Sequence, residues 1–328
     1  MYNYNNIIYI YLLTLGESMR LNKFWWSMLI IAFIAFCYSS CFNLANIINQ
    51  SYIDAKQYYN DDDLANALIN INKAIEKDNK QDSFYLLKAN ILYEDGASMD
   101  DVMAECDKAL RLNPDNVEAK ILKAECLVIN GDEEYKSIMN EVVLDTYDDA
   151  DILKKIAHVY YIGEDYAQAL IYYKDALKIK KDDQNIKYNI ITCYVDLQDY
   201  DNAMKLCEEI LKVYPKDVDT LNKKIFILNE QGKYEEAIDL CYETLKIDSN
   251  DSTIYYELYY SYYCLEDYES ALEHINKYIE FNPDTVNAYL YRAKLNKTLD
   301  DVEGMQRDMQ IYIDRGGNEE EGNEFLNY

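Results

Sequence analysis

A period of 34 residues runs through the chain and constrains it more than any other feature. Tyr166, Tyr200, Tyr234 and Tyr268 are each 34 apart, as are Ala169, Ala203, Ala237 and Ala271, and Leu177, Leu211, Leu245 and Ile279. Fixed periods of this length mark arrays of small structural units. Within a copy the offsets are helical. Tyr166, Ala169, Tyr173, Ala176 and Leu177 step by three, four, three and one, which is one face of an α-helix. The next copy repeats that face with Tyr200, Ala203, Cys207, Ile210 and Leu211. A second apolar series lies upstream of each, such as Leu153, Ile156, Ala157 and Tyr160. Polar turns separate the two series: Gly163-Glu164-Asp165, Leu197-Gln198-Asp199, Gln231-Gly232-Lys233 and Glu266-Asp267. Each unit is predicted to be a helical hairpin, and the fold to be all-α.

The period continues outward with slips. Leu64, Ala67, Ile71, Ala74 and Ile75 form a first copy; Met99, Val102, Cys106, Ala109 and Leu110 form a second, displaced by 35. The third, from Glu134 to Leu144, lacks one residue, and Val302, Met305, Met309 and Tyr312 fall in register at the far end. Pro114, Pro215 and Pro283 occupy one phase, just beyond a second helix. Proline there ends the helix, because it offers no N–H and disfavours helix in the residue before it. A lone hairpin of this kind has two apolar stripes and cannot bury both, so neighbours must stack.

A helix–turn–helix of this length, with Tyr and Ala three apart, a second small residue seven further on and a terminal Pro, resembles the tetratricopeptide repeat. The resemblance covers residues 46–315, as seven full units and a partial eighth that would cap the array through Lys294, Lys297 and Arg307. It implies a right-handed superhelical solenoid whose first helices line a concave groove. There are departures: the family's first aromatic place holds Leu153, Lys187 and Leu221, and only Tyr255 matches. The outward-leaning places of the first helices are Lys154, Tyr188, Asn222 and Tyr256, then His158, Thr192, Phe226 and Tyr260, then Tyr161, Val195, Asn229 and Tyr263. Aromatic anchors with amide and hydroxyl donors suit an extended peptide or a partner helix. With 35 Tyr in the chain, composition alone gives the same enrichment, and both readings stand. Some relatives grip a C-terminal carboxylate with Lys and Asn. Lys154, Asn189 and Lys223 match part of that pattern, whereas His158 and Asp219 depart from it.

The N-terminus reads as an address. Arg20 and Lys23 precede an uncharged run from Phe24 to Phe42 that ends in Tyr38-Ser39-Ser40-Cys41. A basic flank, an apolar stretch and small residues before a Cys resemble a bacterial lipoprotein signal, with Cys41 as the lipid attachment site. Tyr38 departs from the aliphatic residue usual three places before that Cys. Residues 19–41 are thus a signal peptide or anchor, and residues 1–18 an extension upstream of Met19. A single-pass membrane helix is the alternative, since nineteen residues span roughly 28 Å; a cleaved, unlipidated secreted form is a third. All place the remaining chain outside the cytoplasm, and the first two tether it in the envelope, as a periplasmic or surface protein.

Sixty acidic against 32 basic side chains give a net charge of −28. That balance excludes nucleic acid, which is bound by clustered Lys and Arg, and favours basic partners. No phosphate-cradling Gly loop, HExxH, nucleophile elbow or paired CxxC occurs, so no enzyme, cofactor, metal or small-molecule substrate is expected. His274 reads as a surface residue. Cys106, Cys207 and Cys241 share one helix-facing column and Cys126 and Cys193 another. Neighbouring members, about 10 Å apart, are too distant to bridge and read as small buried hydrophobes. Residues 316–328, with their glycines, read as a loose acidic tail. The expected function is a membrane-tethered protein–protein scaffold that takes a partner in its groove; the alternative is a chaperone-like module capturing extended segments.

Overall fold

The computed structural model describes residues 50–146 and 148–326. Every regular element among them is an α-helix. Helix α1 covers residues 50–60. It is followed by α2 (Leu64–Lys77), α3 (Asp82–Glu94), α4 (Met99–Leu112), α5 (Val117–Ile129), α6 (Glu134–Thr146), α7 (Ala150–Ile162), α8 (Tyr166–Ile179) and α9 (Gln184–Asp196). Then come α10 (Tyr200–Val213), α11 (Val218–Glu230), α12 (Tyr234–Leu245), α13 (Ser252–Cys264), α14 (Tyr268–Phe281), α15 (Val286–Thr298), α16 (Val302–Asp314) and α17 (Glu319–Leu326). They form hairpins from α1/α2 to α15/α16, and α17 stands alone.

The chain divides between Val142 and Val143, inside α6, into two compact units. In the first, α2 to α5 pack in chain order and α3 also meets α5. In the second, every helix from α7 to α17 packs on the next, and α9 meets α11 as α11 meets α13. The first helices of successive hairpins therefore share a face in each unit, which is the solenoid arrangement. The periodic alanines are the crossing points: Ala67, Ala169, Ala203, Ala237 and Ala271 are wholly buried. A side chain of one methyl lets two helix axes approach closely. Cys106, Cys126, Cys193, Cys207 and Cys241 are buried and free. Burial pushes the thiols of Cys106, Cys193 and Cys207 up to about 12 and that of Cys126 to about 11, which suppresses the reactive thiolate.

The turns inside the hairpins share one device. Asp62, Gly96, Gly131, Glu164, Gln198, Gly232, Glu266 and Asp300 all adopt left-handed backbone, with φ between 58° and 75°. The next N–H then reaches back to the closing helix: Asp165 to the Tyr160 carbonyl at 2.9 Å, Asp199 to Tyr194 at 2.8 Å, Asp267 to Tyr262 at 3.0 Å. The same Asp caps the following helix, accepting from the backbone N–H of Gln168, Asn202 or Ser270. Much of the acidity is spent this way, since Asp149, Asp183, Asp217 and Asp251 also cap the first helices of their hairpins. A carboxylate at a helix N-terminus also meets the positive end of the helix dipole.

Three expectations change. The eighth hairpin is complete rather than partial, since α15 and α16 are both full helices of 13 residues. The tail is not loose throughout. Asn318 accepts from the N–H groups of Glu320 and Glu321, and α17 follows. Gly322 allows that helix to lie against Ile313, whose Cγ1 would stand 2.5 Å from any added Cβ. Lys294 pairs with Glu321 at 3.1 Å, and Lys297 lies 4.7 Å from the Phe325 ring centroid, so two of the three basic residues read as capping meet the last helix. His274 is not a surface residue. It is 6% exposed, because Tyr242, Tyr255 and Tyr262 enclose its ring. Cys41, the signal or anchor segment and the first 18 residues lie outside the described residues. Among the described residues no helix is long and apolar enough to cross a membrane.

Candidate functional site

The helices α7, α9, α11 and α13 of the second unit carry the outward-leaning residues, and the structure separates them. A concavity of about 500 Å³ on this face is lined by Tyr188, Thr192 and Val195 of α9, Asp219, Asn222, Lys223 and Phe226 of α11, and Thr253 and Glu257 of α13. A smaller one of about 160 Å³ is lined by His158, Tyr161, Tyr173, Asn189 and Thr192. Lys154 lies apart, 3.8 Å from Asp151.

Tyr256, Tyr260 and Tyr263 line neither concavity. They belong to a tyrosine cluster continuous with the core between α13, α14 and α15. Tyr256 lies 5.4 Å from Tyr278 and 6.2 Å from Tyr291 between ring centroids, and Tyr263 lies 5.8 Å from Tyr268. Tyr260 sits edge-on to Tyr234 at 6.4 Å. Offset and edge-on pairs of this kind favour a fixed arrangement. Tyr263 remains partly open, at 40% exposure.

Two of the residues facing the larger concavity are committed to structure on one side. The Tyr188 hydroxyl donates to the Asp217 carboxylate at 2.8 Å, and the Asn222 amide donates to Asp251. Both acceptors are N-caps of the next first helix, so each bond ties one repeat to the following one. Burial, followed by the bond to Asp217, pushes the Tyr188 phenol up to about 12. Phe226 stays 38% exposed, an open ring on the wall. Lys223 donates to the Thr192 hydroxyl at 3.0 Å, which draws its ammonium toward α9.

The α13 wall differs. Glu257 is 7% exposed, and its Oε2 accepts from Asn229 Nδ2 at 2.7 Å. Asn229 in turn accepts from the Ser261 hydroxyl at 2.6 Å, and Ser261 also donates to the Glu257 carbonyl at 2.8 Å. Burial pushes the Glu257 carboxyl up to about 7; the Asn229 bond opposes this and the charge of Glu230 adds to it. Asn229 is itself buried rather than outward-leaning, at 2% exposure.

Glu257 escapes the aromatic stripe read from the sequence. It stands one period after Lys223 and two after Asn189, so the column changes sign at its last member. Ser261 occupies a column otherwise held by Cys193 and Ile227. A hydroxyl in a core column and an acid in a basic one were the available signals.

A family model described as tetratricopeptide repeat matches residues 163–223. Solved structures of similar fold include a tetratricopeptide repeat protein from Parabacteroides merdae, 18% identical, covering 86% of this chain and 98% of that one, with a TM-score of 0.57. Yeast Tom70 is similar over 80% of this chain and 58% of its own, at 14% identity and a TM-score of 0.58. The Cut9–Hcn1 hetero-tetramer of the APC/C matches 80% of this chain and 52% of that one, at 15% identity and a TM-score of 0.50. No curated protein matches. Residues 163–223 thus match the tetratricopeptide repeat, and the fold of the described residues is that of a tetratricopeptide-repeat solenoid.

Proposed function

We propose that this protein is a membrane-tethered scaffold that holds a partner protein or peptide on the concave face of its second unit. The observation that carries the reading is the concavity of about 500 Å³ between α9, α11 and α13. It presents an exposed ring (Phe226), a phenol (Tyr188), hydroxyls (Thr192, Thr253) and an amide (Asn222) to one extended ligand. That mixture supplies apolar anchors for side chains and hydrogen bonds for a peptide backbone. The partner is basic, in keeping with a chain of net charge −28. The tether is the lipoprotein-like segment ending at Cys41, and the protein belongs to the cell envelope, with a single-pass anchor as the alternative.

A photo-crosslinking amino acid at Phe226, activated in the cells that make the protein, tests the groove. One or two defined adducts are expected, lost when Asn222→Arg fills the concavity. A ladder of unrelated adducts indicates the chaperone-like alternative, and no adducts refutes the site. Mass spectrometry of the mature N-terminus, with Cys41→Ala as control, tests the tether separately.

A further inference from the structure

The Glu257 carboxylate is buried without a cation. Asn229 holds its Oε2, and among the described residues nothing donates to its Oε1. The charge of another acid, Glu230, acts on it, and among the described residues no ion pair with a basic side chain offsets its burial. The carboxylate nevertheless lines an open concavity rather than the closed core. A second acceptor on the same concavity is also unused: Asn222 Oδ1 is buried with no donor, its amide nitrogen being engaged by Asp251. An unpartnered buried acceptor such as Asn222 Oδ1 is costly, and together with the unengaged oxygen of Glu257 on the neighbouring helix it defines what a ligand must bring. It must bring N–H donors, and beside a carboxylate a charged donor is favoured.

Other features of the concavity agree. Lys223, the one cation lining it, is drawn toward Thr192 on α9, which leaves the α13 side without a cation. Asp219 adds negative charge among the lining residues, and Phe226 offers an exposed ring over which a cation can sit. The geometry points to a subsite, between α11 and α13, for a lysine or arginine side chain of the bound partner, received by Glu257 and Asn222. The inference rests on the groove reading above and names the residue type that the groove selects.

The test uses the detergent-solubilised full-length chain and a phage library of random peptides, with binders sorted by whether Asn222→Arg abolishes them. Groove binders are expected to carry a Lys or Arg whose replacement by norleucine weakens binding about tenfold, the scale of one charge-assisted hydrogen bond. In Glu257→Gln, a near-isosteric change checked by its melting curve, that replacement should cost nothing. Affinity of the cationic peptides should also rise from pH 6 to pH 8 in the parent and stay flat in the variant. The other charged groups around the site are Asp219, Glu230 and Lys223, and burial raises the Cys241 thiol and the Tyr256 phenol, which stay neutral across that interval. Groove binders with no need of a cation, or a cation preference unchanged by Glu257→Gln, overturn the subsite while leaving the groove reading intact. Finding no binder sensitive to Asn222→Arg overturns both.

Discussion

The Tyr188 hydroxyl donates to both oxygens of the Asp217 carboxylate, at 2.9 and 2.8 Å, and so ties α9 to the cap of α11. One period later Asn222 makes the equivalent bond to Asp251, tying α11 to the cap of α13. Two residues that read as ligand contacts are thus also ligatures between repeats. Tyr188→Phe keeps the ring and removes the donor. The expected loss is about 1 kcal/mol, the usual net value of one hydrogen bond, read from urea unfolding followed by circular dichroism. An unchanged midpoint would show the bond to be dispensable.

The left-handed turn residues give a paired prediction. Gln198 at φ 58° and Gly232 at φ 73° occupy the same place in successive repeats. A side chain pays about 1 kcal/mol or more in that conformation, and glycine does not. Gln198→Gly should therefore raise stability by about 0.5–1 kcal/mol, less any added flexibility of the unfolded chain. Gly232→Ala should lower it by about 1 kcal/mol, although nothing lies within 4 Å of an added Cβ there, so the cost is backbone strain and not a clash. Equal effects of the two changes would contradict this account.

The hairpins, their turns and the alanine crossings were legible because each is set by local chemistry repeated at one period. Tyr166 and Ala169, or Pro215 beyond α10, carry their meaning in any copy. What escaped depends on contacts between copies. Arg292 makes two bonds to Asp308 across α15 and α16, at 2.8 and 2.6 Å, and Asn276 of α14 accepts a third at 2.8 Å. Nothing in the helical pattern distinguishes that pair from the solvated acids and bases around it. His274 failed for the same reason: the rings of Tyr242, Tyr255 and Tyr262 that bury it come from two other helices. Of the groove, Tyr188, Thr192 and Val195 of α9 and Asn222 and Phe226 of α11 follow from helical register, whereas Asn229 of α11 is buried. The split of Tyr256 and Tyr260 into the tyrosine cluster was not legible, because it depends on where α14 and α15 lie.

The Arg292–Asp308 pair yields a large effect. Asp308 is 2% exposed, and Asn296 donates to it as well, at 3.1 Å. Asp308→Ala leaves a half-buried guanidinium and the Asn296 amide without their acceptor. Removing one partner of a buried pair costs about 3–5 kcal/mol. The expected result is loss of the last hairpin's protection in hydrogen exchange before that of α9 and α10. Uniform protection across α15 and α16 in the variant would refute a structural role for the pair.

Two buried groups titrate in opposite senses, and their signs can be separated by pH. Burial raises the Glu257 carboxyl to about 7, well above the unfolded carboxylate. The neutral acid is the form the fold accepts, so its contribution is intact below pH about 4.5 and is lost as pH rises through about 7. Glu257→Gln should accordingly be more stabilising at pH 8 than at pH 4, with a difference on the order of 3 kcal/mol at most. Burial holds the His274 imidazole below its ordinary value, outweighing the acids Glu273 and Asp267, while its Nε2 meets the Tyr242 hydroxyl at 3.1 Å. Here the neutral ring is favoured, so its contribution is intact above pH about 6.5 and falls as the unfolded histidine takes up a proton. His274→Phe should flatten the decline in stability between pH 6.5 and 5 without altering the slope above pH 7. Urea midpoints collected from pH 4 to 8 on both variants check the two signs together, and matching slopes in parent and variants would show that neither group governs the profile.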